Sequence, residues 1–279
     1  DSSWTSGNIS VAISTVLSPD GTTYSYKLTN DAVSGNHFLR DVVTVTSGVP
    51  YTLSVFIKKG TRDIVSIGDG YNVNILANFD LTNGTSTTVS ATSSNIESFN
   101  DGWFKCTATT TPSTTNLGLM IFSGIVYAGK DESGDFYVWG GQAEQGSYAT
   151  SYIPNFGTAA GVTRNQDIFT RDGIGSLINS TEGVLFVESS VLSNDGTYKA
   201  FSLSDGTTSN TIRFYTTPTL NQLAIRVTVS GSHEFNVVFT LTDLTVLNKM
   251  ALKYKANDFA FWVNGVEVKT STSVNTYTA

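Results

Sequence analysis

The sequence predicts an all-β protein built from two tandem β-sandwich (jelly-roll) domains. Apolar and polar residues alternate with a period of two along short segments, and turn signals such as Asn-Gly separate these segments. The composition agrees, because 39% of the residues are hydrophobic and 14% are charged, with many of the β-branched and aromatic residues that suit a pleated sheet. At 279 residues the chain is long enough for two domains that each bury a core.

The segment from Tyr51 to Lys58 gives the clearest strand of the first half. Its residues divide between two faces, with Tyr51, Leu53, Val55 and Ile57 on one and Thr52, Ser54, Phe56 and Lys58 on the other. We expect the first face to be buried between two sheets, together with Phe104 and Cys106. Further strands are predicted at residues 24–28, 37–45, 64–67, 73–81, 103–109, 117–122 and 136–139.

Residues 136–165 close the first half and lead into the second. After the strand at 136–139, Gly140-Gly141 interrupts the alternation and predicts a bulge, and residues 144–147 predict a polar turn. Ile153 is expected to be extended, because the residue before a proline disfavours the helical region. The small residues that follow predict a linker over 155–165. The predicted domains are therefore residues 1–154 and 166–279.

The second half repeats this style without repeating the sequence. Strands are predicted at residues 183–191, 200–203, 212–216, 223–229, 235–241, 250–254, 259–263 and 266–268. The Asn264-Gly265 pair predicts a hairpin whose turn has positive φ at both positions. The strand that ends near Lys269 would then need a neighbour, so we expect something outside these residues, either further sequence or a partner chain, to complete this domain.

Charge and cysteine usage narrow the class of protein. The net charge of −7 argues against a nucleic-acid partner, which would require a basic face. No apolar run is long enough to cross a membrane. The single cysteine, Cys106, cannot form an internal disulfide, and its alternation with Phe104 predicts a buried, inert thiol. The chain starts at Asp1 rather than Met, which suggests a processed or excised piece.

No catalytic constellation stands out, and we predict a protein that is not an enzyme and requires no cofactor. A glycosidase needs two carboxyl groups a defined distance apart. The acidic residues instead fall mostly in turns, as at Asp20, Asp69, Asp131 and Asp205. Neither a G-x-S-x-G motif nor a Cys/His nucleophile pair is present.

Metal binding leaves two interpretations open. The two histidines are far apart in sequence, which makes a zinc site unfavourable. Asp131, Glu132 and Asp135 surround a glycine in a predicted loop and could supply oxygen ligands to a structural calcium ion. The spacing of known calcium loops is missing, so a solvated acidic turn is the favoured alternative.

Sugar binding is the chemistry that the sequence supports best. Sugar binders use aromatic rings flanked by polar side chains, because the positive C–H edges of a sugar favour the face of a ring. Aromatic residues predicted to lie off the core or in loops are Phe56, Tyr71, Trp103, Tyr127, Trp139 and, in the second half, Trp262; their polar neighbours are Lys58, Arg62, Asn72 and Asn74. Packing is favoured for Trp103 and Trp139. Tyr71, in a loop after Gly70, is the first candidate for a ligand contact.

The stretch WGGQAEQGSYATSYIPN resembles an ending found in bacteriophage tail and fibre proteins, with Asn155 where threonine is usual. In that family it closes a jelly-roll similar to the carbohydrate-binding modules of polysaccharide-degrading enzymes. The pieces SPDGTTYSYKL, YTLSVFIKKG, FDLTNGT and GWFKC resemble the same module, in the same order, over residues 1–154. Residues 164–279 resemble laminin-G-like, concanavalin A-like lectin domains through their strand–Asn-Gly–strand pattern.

These resemblances imply a non-catalytic adhesin in a virion tail fibre or appendage, or otherwise outside the cell. Its partners would be surface polysaccharides or glycans of a host and other fibre subunits, with a homo-oligomer as one arrangement. Two alternatives stay open: an accessory binding segment of a secreted polysaccharide-degrading enzyme, and a purely structural module of a virion or filament.

Overall fold

The chain folds into two compact units, residues 1–165 and 166–279. The computed structural model describes residues 3–124, 133–155, 161–163, 168–272 and 274–277. These ranges contain twenty strands in four antiparallel sheets, the two 3₁₀ turns Asn100–Gly102 and Gly175–Leu177, and no α-helix. The described residues accordingly offer no helix that could cross a membrane. The predicted all-β sandwich class is confirmed.

The first unit is a sandwich of two six-stranded sheets. Its strands are β1 (Thr5–Gly7), β2 (Ile9–Leu17), β3 (Tyr24–Asn30), β4 (Phe38–Thr44), β5 (Tyr51–Lys59), β6 (Ile64–Asp69), β7 (Asn74–Asp80), β8 (Thr85–Thr88), β9 (Ser93–Ser98), β10 (Trp103–Thr110), β11 (Asn116–Ser123) and β12 (Asp135–Gln145). Sheet A has the order β1-β4-β11-β6-β7-β8, and sheet B has the order β2-β3-β12-β5-β10-β9. The interleaved order of the strands is jelly-roll-like.

The core of the first unit lies between the inner faces of sheets A and B. Leu53, Val55 and Ile57 on β5 and Cys106 on β10 are at most 1% exposed, and Tyr51 and Phe104 pack against them at the margin. The predicted phase of this strand is therefore confirmed. Burial also raises the pKa of the Cys106 thiol, as expected for an inert cysteine.

Strand β12 carries the predicted bulge but is longer than predicted. Its pairing with β5 shifts register between Trp139 and Gln142, and Gly140 has a φ of +63°. The predicted turn at 144–147 is wrong at its start, because Glu144 and Gln145 still pair with β5 and the strand ends at Gln145. The register shift keeps Gln142 and Glu144 on the outward face of sheet B, where they acquire partners.

The second unit is a sandwich of two four-stranded sheets. Its strands are β13 (Glu182–Ser189), β14 (Ala200–Ser204), β15 (Thr211–Thr216), β16 (Gln222–Val229), β17 (Ser232–Thr240), β18 (Asn248–Lys255), β19 (Phe259–Val263) and β20 (Val266–Ser271). Sheet C has the order β13-β18-β19-β20, and sheet D has the order β14-β15-β16-β17. Inward residues of both sheets, such as Phe214, Ile225, Leu252 and Phe261, form one buried core.

The turn between β19 and β20 confirms the predicted hairpin. Asn264 and Gly265 have φ values of +48° and +84°, the sign that a primed two-residue turn requires at both positions. Strand β20 pairs with β19 and has no second strand beside it among the described residues. Completion of this edge from outside the chain remains a prediction.

Candidate functional site

The outward face of sheet B, where Phe56 and Trp103 were predicted, is covered. Phe56 is 6% exposed and lies in register between Lys105 on β10 and Trp139 on β12. The ring of Phe99 meets it edge-on at 5.0 Å between centroids, and the ring of Trp139 lies at 5.5 Å. We call this aromatic surface the covered face.

Residues 147–153, which we call the strap, return across the covered face. The side chain of Glu144 accepts hydrogen bonds from the backbone N–H of Thr150 (2.8 Å) and from its hydroxyl (2.7 Å). Gln142 accepts one from the N–H of Ile153 at 2.9 Å, and the Lys105 ammonium donates to the carbonyl of Thr150. These bonds explain why Gln, Glu and Thr are spaced as they are in the stretch that resembles the tail-fibre ending.

Aromatic contacts complete the attachment of the strap. The ring of Tyr152 lies 4.5 Å from that of Trp139, whose indole N–H donates to the Thr23 hydroxyl at 3.0 Å. Gly140 makes this approach feasible, since a Cβ there would lie 3.3 Å from both Phe56 and Tyr152. The predicted packing role of Trp139 is confirmed.

Trp103 is buried as well. It is 1% exposed, and its indole N–H donates to the carbonyl of Leu17 at 3.1 Å. The favoured packing role of Trp103 is therefore confirmed. The interpretation of Phe56 as an accessible sugar contact is wrong, because the rings of Phe99 and Trp139 already pack against it. Lys58, half-buried in the same sheet, lies in register between Trp103 and Tyr137.

Tyr71 lies on the turn between β6 and β7 and is 48% exposed. The buried Asp69 carboxylate fixes the turn, accepting hydrogen bonds from the N–H groups of Tyr71 (2.9 Å) and Gly118 (3.0 Å) and from the Asn72 amide (2.5 Å). A Cβ at Gly118 would lie 2.6 Å from the Cα of Gly70, so this close approach requires glycine. Tyr71 remains a candidate ligand contact on a prearranged turn.

The polar residues predicted beside Tyr71 do not form one site with it. Asn72 is bonded to Asp69, and the Asn74 amide donates to the Ser90 hydroxyl at 3.2 Å. Arg62 precedes β6 whereas Tyr71 follows it, so the two lie at opposite ends of a strand about 20 Å long. The half-buried Arg62 side chain packs over Gly134 instead.

The residues of the predicted calcium site are only partly described. Asp131, Glu132 and the candidate Tyr127 lie outside the described residues. Asp135 forms a 2.7 Å ion pair with Lys27 and accepts hydrogen bonds from the N–H and hydroxyl of Thr61. The hydrogen bond from Lys27 lowers the pKa of Asp135. Within the described ranges, no group of three or more His, Cys, Asp or Glu side chains could hold a metal ion.

Trp262 lies on a sheet face that remains open. It is half-buried and points away from the core, since its neighbours Phe261 and Val263 both point inward. In register across sheet C, Phe186 on β13, Ala251 on β18, Trp262 and Glu267 on β20 form one row. Phe186 is 56% exposed. We call this outward surface of sheet C the Trp262 face.

The small side chain of Ala251 separates two aromatic side chains in that row. Strands in a sheet are about 4.8 Å apart, so the backbones that carry Phe186 and Trp262 are about 10 Å apart, with a methyl group between them. The next row adds Val184, 65% exposed, and Lys253. Ala260, in register with Lys253 in that row, is 3% exposed, so the face is covered there. The slot between Phe186 and Trp262, with its apolar walls, is the part of the face suited to a flat ligand.

Charged pairs border this slot. Lys255 forms a 2.9 Å ion pair with Glu182, and Lys253 forms a 2.5 Å pair with Asp258. Glu188 lies in register with Lys249 at the other end of β13. An apolar centre with a polar border is typical of binding surfaces, whereas an ordinary solvated sheet face is polar throughout.

Phe186 was missed by sequence reasoning, although a signal for it exists. In the segment from Glu182 to Ser189, Leu185 and Val187 pack against the core. Period-two alternation then places Phe186 on the outside, in the same phase as Val184. The four-residue apolar run hides this alternation, because it can equally indicate a strand buried on both faces.

Neither a protein-family model nor a curated protein matches this chain.

Proposed function

We propose that this chain is a non-catalytic carbohydrate-binding protein that holds a glycan on the Trp262 face of its second unit. The observation that supports it is the row Phe186–Ala251–Trp262, two outward aromatic side chains separated by a methyl-sized floor on an open sheet. A pyranose ring has apolar C–H faces that pack on aromatic rings, with hydroxyls at its edge. The charged pairs bordering the slot supply hydrogen-bonding groups for those hydroxyls.

The setting of this activity follows from the resemblance of residues 1–154 to the tail-fibre module. We propose that the protein acts outside the cell, as part of a virion tail fibre or appendage that attaches to host surface glycans. Tyr71, on its fixed turn in the first unit, is proposed as a separate glycan contact. The lectin-like character of the second unit belongs to the same proposal.

A structural role is the second candidate, because the same face could bind protein. Val184 and Phe186 are 65% and 56% exposed on β13, an edge strand of sheet C. Exposed apolar residues on an edge strand are typical of surfaces that pair with another chain. The two functions differ in what Trp262→Ala changes: glycan affinity in the first, oligomeric state in the second.

The experiment is a glycan-array screen of the full chain, followed by calorimetry of the best ligands with Trp262→Ala and Phe186→Ala. Each variant should bind at least about tenfold more weakly, since loss of one aromatic stacking surface costs about 1.4 kcal/mol or more. Leu220→Ala, which removes a 58% exposed apolar side chain outside the face, is the matched control and should bind as the wild type does.

Two results would overturn the proposal. One is wild-type binding that neither Trp262→Ala nor Phe186→Ala weakens. The other is the absence of binding to any glycan together with a wild-type oligomer that Trp262→Ala converts to a smaller species in light scattering, which would establish the structural role.

A further inference from the structure

The outward face of sheet D carries an uncompensated positive charge. Along β14–β17 the outward positions hold small, polar and aromatic side chains and two arginines, and none of these positions holds a carboxylate. Glu234, at the bulge of β17, is bonded to Asn275 through both the N–H and the side-chain amide of Asn275. The chain has a net charge of −7, so this positively charged face differs in sign from the chain as a whole.

The two arginines lie directly opposite each other. Arg213 on β15 and Arg226 on β16 are register partners. The Cβ atoms of such partners are about 5 Å apart, and like charges in this position destabilise a sheet. An arrangement that costs stability in the free protein is expected where a ligand of opposite charge offsets it.

Neither guanidinium has a charge partner in the part of the chain that the structure describes. Four ion pairs are found there, and none involves Arg213 or Arg226. The Nε atom of Arg226 is shielded from solvent without a hydrogen-bond partner. A shielded N–H group with no acceptor costs free energy, so the position of Arg226 is a second local cost to the free protein beside the like-charge pair.

Tyr215 holds the arginines in place, and Tyr198 extends the face. The Cζ atoms of Arg213 and Arg226 each lie 5.6 Å from the ring centroid of Tyr215, within the range of cation–π contacts. The ring of Tyr198, 61% exposed, lies 6.5 Å from that of Tyr215. The contacts to Tyr215 restrict the guanidiniums, and Tyr198 offers an open ring beside them.

We propose that Arg213 and Arg226 bind the carboxylate or sulfate group of an acidic polysaccharide, with Tyr198 packed against the sugar ring that carries it. A guanidinium presents two parallel N–H donors that match the two oxygens of a carboxylate or sulfate. The two neighbouring guanidiniums can therefore bind one anion together. The adjacent ring of Tyr198 packs against the sugar that carries this anion. We call this surface the Arg213 face.

A polysaccharide fits this face better than a nucleic acid does. Nucleic-acid sites depend on many basic side chains that follow a chain of phosphates, whereas the outward positions of sheet D carry two. A single carboxylate or sulfate group of a saccharide is enough to engage these two arginines, whereas a nucleic acid would also bring its phosphates against a chain with a net charge of −7.

The choice of a saccharide as the ligand rests on the proposed function, whereas the choice of the Arg213 face as an anion-binding site does not. The Trp262 face lies on the outward side of sheet C and the Arg213 face on the outward side of sheet D, so the two sites share no residue. Loss of one is expected to leave the other intact, and their failures are distinguishable.

The experiment measures binding of the full chain to oligogalacturonate, dextran sulfate, uncharged dextran and single-stranded DNA by calorimetry at two salt concentrations. Wild type should bind one of the two acidic saccharides at least tenfold more tightly than dextran, and the affinity should fall as salt screens the charges. Tighter binding of oligogalacturonate would identify the anion as a carboxylate, and tighter binding of dextran sulfate would identify it as a sulfate. Arg213→Gln should reduce this affinity about tenfold or more and flatten its salt dependence.

Two further variants keep the outcome decisive. Arg226→Lys retains the charge but loses the paired donors, and it should weaken binding of the acidic saccharide while the unfolding midpoint stays near that of wild type. Arg171→Gln removes an exposed positive charge elsewhere in the second unit and should bind as wild type does. Trp262→Ala should also keep this affinity, even if neutral glycans fail to bind.

The proposal is overturned if Arg213→Gln and Arg171→Gln bind the acidic saccharides equally well, or if neither acidic saccharide binds more tightly than dextran. Tighter binding of DNA than of both acidic saccharides would also overturn it, because the anion would then be a phosphate carried by a nucleic acid.

Discussion

Phe56 and Phe186 both point outward from a sandwich, Phe56 on a central strand of sheet B and Phe186 on the edge strand of sheet C, and they differ in exposure. Each is an outward phenylalanine on a strand whose inward residues fill a sandwich core, β5 in the first unit and β13 in the second. Phe56 is 6% exposed and Phe186 is 56% exposed. The difference comes from what lies over each ring and from the place of each strand, since Phe56 has register partners on both sides and Phe186 has one.

The covered face shows what covering a sheet requires. The strap is held by two hydrogen bonds to Glu144, one to Gln142 and the contact of Tyr152 with Trp139. In the second unit the described residues place no comparable segment over Phe186 or Trp262. An aromatic residue on an outward strand position is thus structural in one unit and available to a ligand in the other.

The largest expected effect is on the free energy of unfolding when each phenylalanine is truncated. Phe56→Ala should destabilise the first unit by about 3–5 kcal/mol, because it removes a buried ring and leaves a cavity beneath Phe99 and Trp139. Phe186→Ala should change the stability of the second unit by about 0.5 kcal/mol or less, as substitutions at exposed positions do. Denaturant titration followed by peptide-resolved hydrogen exchange assigns each change to its unit.

Equal losses in the two variants would break the comparison. They would mean that Phe186 is covered in solution by another chain or segment. Dilution separates these cases, since a cover supplied by another chain is lost as the protein concentration falls.

The inward half of each sheet could be predicted from sequence, and the reason is physical. Leu53, Val55 and Ile57 are buried because period-two alternation fixes which side chains share a face, and a core accepts the apolar one. The hairpin turn at Asn264-Gly265 could also be predicted, because few residue pairs tolerate two positive φ values. Both features depend only on neighbouring residues.

The outward half could not be predicted, because its burial depends on distant parts of the chain. Phe56 is covered by Phe99 and the strap, forty and more positions away, and Trp103 is bonded to Leu17, 86 positions away. The pairing of Arg213 with Arg226 depends on the register of β15 with β16. Alternation identifies an outward residue, but only the fold decides what lies on top of it.

A smaller effect is expected from loosening the strap. Glu144→Gln replaces a carboxylate oxygen with an amide donor, which cannot accept from both the N–H and the hydroxyl of Thr150. The cost should be about 1.5–3 kcal/mol of unfolding free energy, the range for hydrogen bonds to a charged group. Amide exchange should accelerate in residues 147–153.

Glu188→Gln is the matched control. Glu188 is exposed on β13 of the second unit and makes no hydrogen bond through its side chain to the described residues, so the same chemical change there should leave stability and strap exchange unaltered. If Glu144→Gln behaves like Glu188→Gln, the strap is held by its contacts to Gln142, Lys105 and Trp139, and Tyr152→Ala should then loosen it.

The smallest expected effect is the response of the second unit to acid. It tests whether the loop that contains Asp195 and Tyr198, beside the Arg213 face, is held by the single carboxylate of Asp195 or by several contacts, as the strap is. Burial by itself raises the pKa of Asp195, but hydrogen bonds from Lys199 and Thr197 outweigh it and bring the pKa to about 2, against about 3.9 in an unfolded chain. A folded pKa below the unfolded one means that the folded state binds fewer protons. The interaction therefore stabilises the loop above about pH 4, and the stabilisation is lost as the pH falls from there towards 2.

Asp195→Asn should accordingly lower the thermal midpoint of the second unit slightly at pH 6 and accelerate amide exchange around Tyr198. The difference from wild type should shrink as the pH falls below about 4 and become small only below about pH 2, where the wild-type carboxyl is mostly protonated too. Asp172→Asn, at an exposed position with no hydrogen bond to the described residues, is the control and should show no such convergence. A gap between Asp195→Asn and wild type that stays constant from pH 6 to pH 2 would show that the side chain acts through its shape and neutral hydrogen bonds. In that case several contacts would hold the loop against the sheet, as they hold the strap. The two units would then differ only in whether a segment covers their outward aromatic residues.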